Sequence, residues 1–115
     1  MAEETVFGMI IAGKIPATIL AETDRVLAFP DINPQAPVHI LVIPKTAEYA
    51  DVTELAAGDP SLLAEMVEVA KRLAEEHANG EYRLIFNTGA SAGQTIFHVH
   101  AHVLANLEES SLSGF

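Results

Sequence analysis

A chain of 115 residues, half of them apolar and 19% charged, has the length and composition expected of one compact domain over residues 1–115 rather than of a disordered segment. Sixteen acidic against six basic side chains leave a formal charge of −10, which disfavours nucleic acid polymers and anionic membranes as partners because no basic surface is available to meet their phosphates. There is no cysteine, so disulfides, thiolate metal sites and a cysteine nucleophile are excluded, and catalytic chemistry must come from His, Ser, Thr, Asp or Glu.

The start MAEETVFGMIIAG has an acidic flank and a short apolar stretch, and no apolar run of membrane-spanning length follows. The expectation is a cytoplasmic location. After the apolar Val6–Ile11, residues 13–16 read as a turn, and Ile19–Leu20 with Val26–Phe29 bracket the polar ETDR as a hairpin. DINPQAP is a stiff loop, because Pro34 and Pro37 fix φ and push the preceding residues towards extended geometry. Val38–Ile43 then reads as a strand buried on both faces, with His39 as its one polar member.

A short helical piece is expected around Thr53–Ala57. The long helix is expected over Asp59–His77, where an N-cap aspartate and Pro60 precede Leu62, Met66, Val69 and Leu73 at spacings of three and four. Asn79-Gly80 ends it. YRLIFN and TIFHVHAHVL supply two more strands, joined by the glycine-bearing turn TGASAG. The predicted fold is α+β: an antiparallel sheet of about five strands, with one long and one short helix on a face.

Three of the five histidines fall at alternate positions in HVHAHVLA. Residues at i, i+2 and i+4 of a strand share a face, roughly 6.5 to 7 Å apart along it, so His98, His100 and His102 line one surface while Val99, Ala101 and Val103 face the core. Three imbedded imidazoles each need partners, which makes a functional site a better reading than a purely structural one. Two chemistries fit the spacing. The histidines, joined by His39 and approached by Asp31, are a possible divalent-ion site. Alternatively one neutral imidazole attacks phosphorus while its neighbours bind phosphate and protonate the leaving group. For the second, GASAGQT offers backbone N–H groups at Gly89 and Gly93 and side-chain donors at Gln94 and Thr95.

The run from His98 to Leu104 resembles the histidine triad, His-x-His-x-His followed by two apolar residues, of the HIT superfamily of nucleotide hydrolases and transferases. FGMIIAGKIPATIL, DRVLAFPDINPQAPVHILVIPK and FNTGASAGQTIFHVHAHVL, in that order, are similar to the Hint branch of adenosine phosphoramidases up to about Ala105. The resemblance implies a purine nucleotide substrate, a two-fold dimer, and no metal or other cofactor. It implies His100 as nucleophile, His102 at the phosphate and leaving group, and His98 and His39 as the network that orients them. Gln94, Thr95, Gly93 and Asn87 would hold phosphate oxygens or the ribose side, Asp31 would accept both ribose hydroxyls, and Phe7, Ile10, Phe29 and Ile32 would form the base slot. Dinucleoside polyphosphate hydrolysis and nucleotide binding without turnover are the alternatives. Thr95 stands where the Hint branch commonly has serine, and the tail NLEESSLSGF lacks the Trp-Pro-Pro-Gly ending of close Hint proteins.

Overall fold

The computed structural model describes residues 4–108; most of the atypical tail lies outside them. Five strands form one antiparallel sheet: β1 (Ala21–Glu22), β2 (Val26–Pro30), β3 (Val38–Pro44), β4 (Arg83–Ile85) and β5 (Ala101–Ala105), in the spatial order β1-β2-β3-β5-β4. The expected α+β architecture is therefore present. The helices number three rather than the two expected, since α1 (Val6–Ile11) joins α2 (Val52–Gly58) and α3 (Pro60–His77) among the described residues.

The additional helix, α1, is only six residues long, too short for its periodicity to show in an all-apolar run. It is fixed at both ends. Thr5 Oγ1 accepts from Gly8 N at 3.1 Å, and after Ala12 the amides of Gly13 and Lys14 return to the carbonyls of Ile10 and Met9. That C-terminal closure requires the left-handed φ of +75° that Gly13 adopts.

The long helix α3 begins where its sequence signals place it: Asp59 accepts from Leu62 N, and Pro60 occupies the first turn. Leu62, Met66, Val69 and Leu73 are buried against Val26, Ala28, Ile40, Val42, Ala101 and Val103 of the sheet. Each such side chain contributes about 1.5 to 3 kcal/mol. Arg25, at the tip of the β1-β2 hairpin, is tied to the same helix through Asp59 and Glu65 at 3.2 Å each. The second strand of the hairpin starts at Val26 as expected, whereas the first lies at Ala21–Glu22, two residues later than expected, with Ala21 opposite Ala28 and the turn at Thr23–Arg25.

β3 is buried along nearly all its length, as its apolar run predicts. Its alternate residues serve two different layers. Ile40 and Val42 face α3, whereas Leu41 and Ile43 join Leu27, Phe29 and Phe7 on the opposite face beneath α1. The last strand is shorter than the expected TIFHVHAHVL, because ladder pairing begins only at Ala101. No described helix is long and apolar enough to cross a membrane.

Candidate active site

The α1 side of the sheet carries a cleft of about 660 Å³. His100, His102 and His39 lie along it, with Phe7, Phe29 and Ile10 forming an apolar part of the wall, and Asp31 and Thr95 also lining it. Ile32 stands at its edge, 92% exposed.

His98 is placed differently. It is 1% exposed, and its Nε2 lies 2.8 Å from the carbonyl of Pro44, so Nε2 carries hydrogen and donates to it. It does not line the cleft; it backs the site, with Phe7 edge-on to both His98 and His100 at centroid separations of 6.0 and 4.9 Å. The expected shared face of the three imidazoles thus holds through this stacking and through the 5.1 Å His100–His102 contact, even though residues 98–100 lie outside the β5 ladder.

The hydrogen bonds fix which ring nitrogens are free. His100 Nδ1 lies 2.8 Å from the carbonyl of His98. A carbonyl only accepts, so Nδ1 bears the hydrogen and Nε2 is left as a lone pair. His39 Nδ1 accepts from the backbone amide of Gln35 at 2.9 Å. Its hydrogen is consequently on Nε2, which donates to His102 Nδ1 at 2.9 Å and stands 3.4 Å from Asp31 Oδ2. His102 then keeps its own hydrogen on Nε2.

Burial favours the neutral form of all three triad histidines. Burial pushes the pKa values of His98 and His100 below the ordinary imidazole range. For His102 burial, followed by repulsion from His100 and His39, lowers it to about 4.

Asp31, His39 and His102 are the one group among the described residues whose ligand atoms come within 4.8 Å of one another. The tautomers oppose a cation there, since His39 Nε2 is protonated and releasing it would require giving up the Gln35 bond or forming an imidazolate.

Four expected site residues, three of them expected substrate contacts and one, His98, an orienting group, do not line the cleft. Gln94 was expected to reach phosphate, but it is 3% exposed and its amide is consumed internally: Nε2 donates to the carbonyls of Ala50 (2.6 Å) and Ile96 (3.0 Å), and Oε1 accepts from Gly89 N at 2.9 Å. His98 is described above. Asn87 and Gly93 sit together beside the Ala90–Ala92 turn, Asn87 Cγ being 3.9 Å from where a Cβ on Gly93 would stand. Gly89 and Gly93 have φ of +91° and +98°, which explains glycine at both. Sequence reasoning missed Ile15, Pro16, Ala17 and Thr18 on the cleft wall, because a turn signal says nothing about what the turn covers.

The α+β sheet and its alternating, buried histidines beside an apolar cleft have counterparts among known proteins. A family model described as scavenger mRNA decapping enzyme C-terminal binding matches residues 4–114. A HIT family hydrolase from Clostridium thermocellum is 42% identical and superposes with a TM-score of 0.87 over 95% of this chain and 96% of that one. A histidine triad protein from Clostridium difficile is 35% identical, with a TM-score of 0.84 over 94% and 95%. The purine nucleoside phosphoramidase of Escherichia coli K12 is 44% identical over 106 residues, 90% of this chain and 88% of that protein. The chain belongs to the HIT family.

Proposed function

We propose that the protein hydrolyses purine nucleoside 5′-phosphoramidates to the monophosphate and an amine. The observation that carries this reading is the charge of the cleft. Among the described residues lining it there is no lysine or arginine, and Asp31 is the only carboxylate. One phosphate monoanion is accommodated by neutral donors, whereas the several charges of a polyphosphate chain would enter without cations to meet them. This favours the phosphoramidate over the dinucleoside polyphosphate.

In the proposed first step the His100 Nε2 lone pair attacks the α-phosphorus. The P–N bond breaks with its electron pair on the amine nitrogen, which takes the Nε2 hydrogen of His102 as a proton from solvent replaces it, so that no imidazolate forms. In the second step water attacks phosphorus and gives up its proton to solvent, the bond to His100 breaks, and the His102 Nε2 hydrogen bonds to phosphate oxygen. The cycle requires no imidazolium in the resting enzyme, which agrees with the lowered pKa values. Thr95 donates to phosphate oxygen, with Asn87, Gly93 and the neighbouring loop amides at the margin of that contact. Asp31 accepts from the ribose hydroxyls, and Phe7, Ile10, Phe29 and Ile32 hold the base. Neither metal nor organic cofactor enters this scheme.

Incubation with adenosine 5′-phosphoramidate is expected to release AMP, with diadenosine polyphosphates cleaved at least about tenfold more slowly in kcat/KM. The reverse preference would make the protein a polyphosphate hydrolase, and binding of AMP without turnover of either would make it a nucleotide-binding partner protein.

The pH dependence follows from the direction of the shifts. Lowered imidazole pKa values keep His100 and His102 neutral below the usual 6.5, so kcat/KM should stay level as pH falls through 6.5 and drop only at more acidic pH. An acid limb centred at or above 6.5 in a steady-state profile would contradict a nucleophile held neutral by burial.

A homodimer also belongs to this proposal. The apolar face of α3 is spent on its own sheet and is not available to a second copy. What supports one is β4, the last strand in the sheet order, whose three residues are half-buried in the single chain. Light scattering at micromolar concentration is expected to give twice the chain mass; the mass of one chain would refute it.

A further inference from the structure

We infer that the backbone amide of Gln35 is a positioning group for the site: it selects the ring tautomer of His39 and, through it, the nitrogen on which His102 carries its hydrogen. The inference deepens the phosphoramidase reading and depends on that reading only for its kinetic consequence. The chain of contacts is short and directional. Gln35 N donates to His39 Nδ1 at 2.9 Å, and His39 Nε2 then meets His102 Nδ1 at 2.9 Å. A backbone amide has a hydrogen and no lone pair to offer, so it imposes one answer where an isolated imidazole has two.

The alternative arrangement shows what the amide prevents. With hydrogen on Nδ1, His39 would confront Gln35 N–H donor to donor. Its Nε2 would become an acceptor, and His102 would have to turn its own hydrogen to Nδ1 to satisfy it. His102 Nε2 would then present a lone pair instead of a donor. A lone pair repels phosphate oxygen and has no proton to give a departing amine, so both half-reactions depend on a choice made one residue away from the chemistry.

The loop is built to hold that amide still. Pro34 fixes its own φ and biases Asn33 towards extended geometry, and Pro37 does the same for Ala36, so the loop is stiff on both sides of Gln35. Asp31 Oδ1 accepts from Asn33 N at 2.8 Å, and the Gln35 side chain donates to the carbonyl of Asn33 at 3.1 Å. At the loop mouth Asp31 N donates to the carbonyl of His39 itself at 3.0 Å, so the loop closes on the residue whose ring it sets. His39 is buried, with its side chain 4% exposed, which leaves little room for water to satisfy the other tautomer.

The test is the ring-nitrogen NMR spectrum of ¹⁵N-histidine-labelled protein without substrate, for wild type, Gln35→Ala and Gln35→Pro. Wild type and Gln35→Ala, which keeps the amide, are expected to show His39 and His102 both protonated at Nε2 and unprotonated at Nδ1. Gln35→Pro removes the N–H and is expected to mix or reverse the tautomers of both rings. It should lower kcat on the phosphoramidate roughly tenfold or more while KM changes less than about threefold. Hydrogen on Nδ1 of His39 in the wild type would overturn the inference, and so would a Gln35→Pro protein with unaltered tautomers or unaltered kcat. Should the proline variant not fold, the wild-type spectrum alone decides. Absence of phosphoramidase activity in the wild type would sink the functional reading and leave the tautomer result standing, so the two failures are distinguishable.

Discussion

His100→Ala is expected to lower phosphoramidate turnover by at least about a hundredfold while leaving AMP binding measurable. The size of the effect comes from removing the atom that forms the bond to phosphorus, which general acid–base assistance from neighbouring groups does not replace. Binding should survive because the proposed base slot and Asp31 are contributed by other elements: Phe7 from α1, Phe29 from β2 and Asp31 from the loop that follows it. The substitution does open space, since the ring is packed edge-on to Phe7 at 4.9 Å. Thermal denaturation should therefore accompany the kinetics, to show that the variant remains folded at the assay temperature. Rapidly quenched wild-type reactions examined by mass spectrometry should carry a nucleotidyl adduct that is missing from His100→Ala. Retention of more than about a hundredth of the rate, or an adduct on another residue, would reassign the nucleophile.

For Gln94→Ala the expected loss is in stability, about 2 to 4 kcal/mol, which corresponds to a fall in Tm on the order of 10 °C or more. The buried amide of Gln94 satisfies two carbonyls and one amide drawn from three places in the chain: Ala50 at the start of α2, Ile96, and Gly89 in the glycine turn. Truncation strands all three partners at once, and buried unsatisfied groups cost about 1 to 3 kcal/mol each before water or relaxation repays part of it. Gln94→Glu sharpens the test by sign. An ionised carboxylate keeps the acceptor for Gly89 but faces two carbonyls with no hydrogen to donate, so this variant should be unstable at neutral pH and recover as acid protonates it. An unchanged Tm combined with lost AMP affinity would return Gln94 to the phosphate contact suggested by its place beside the glycine turn.

The chain's local signals carry much of the architecture. Asp59-Pro60 and the three-and-four spacing from Leu62 to Leu73 specify α3 and its buried face, because a cap and a helical period are properties of neighbours in sequence. The apolar run of β3, interrupted only by His39, specifies a strand covered on both sides for the same reason. Alternation of His98, His100 and His102 specifies one polar side, and the three rings do gather there, although only His102 belongs to the paired part of β5. The short helix α1 was not legible: six apolar residues have no period to read, and what holds them is a cap at Thr5 together with burial of Phe7 against Phe29, His98 and His100.

What the sequence determined by itself was therefore which residue types line which face, and from the triad and its flanking blocks, the HIT family. The tertiary structure decided which polar atom meets which. Gln94 sits beside a glycine turn and reads as a phosphate donor until the fold brings Ala50, 44 positions away, within 2.6 Å of its amide. His39 and His102 are 63 positions apart and 2.9 Å from each other, with Gln35 N–H on the far side of the ring. Residue type and spacing fix the number of donors and acceptors a side chain owns. Their direction is set by partners distant in the chain, and in a site of neutral imidazoles direction separates a nucleophile from a donor.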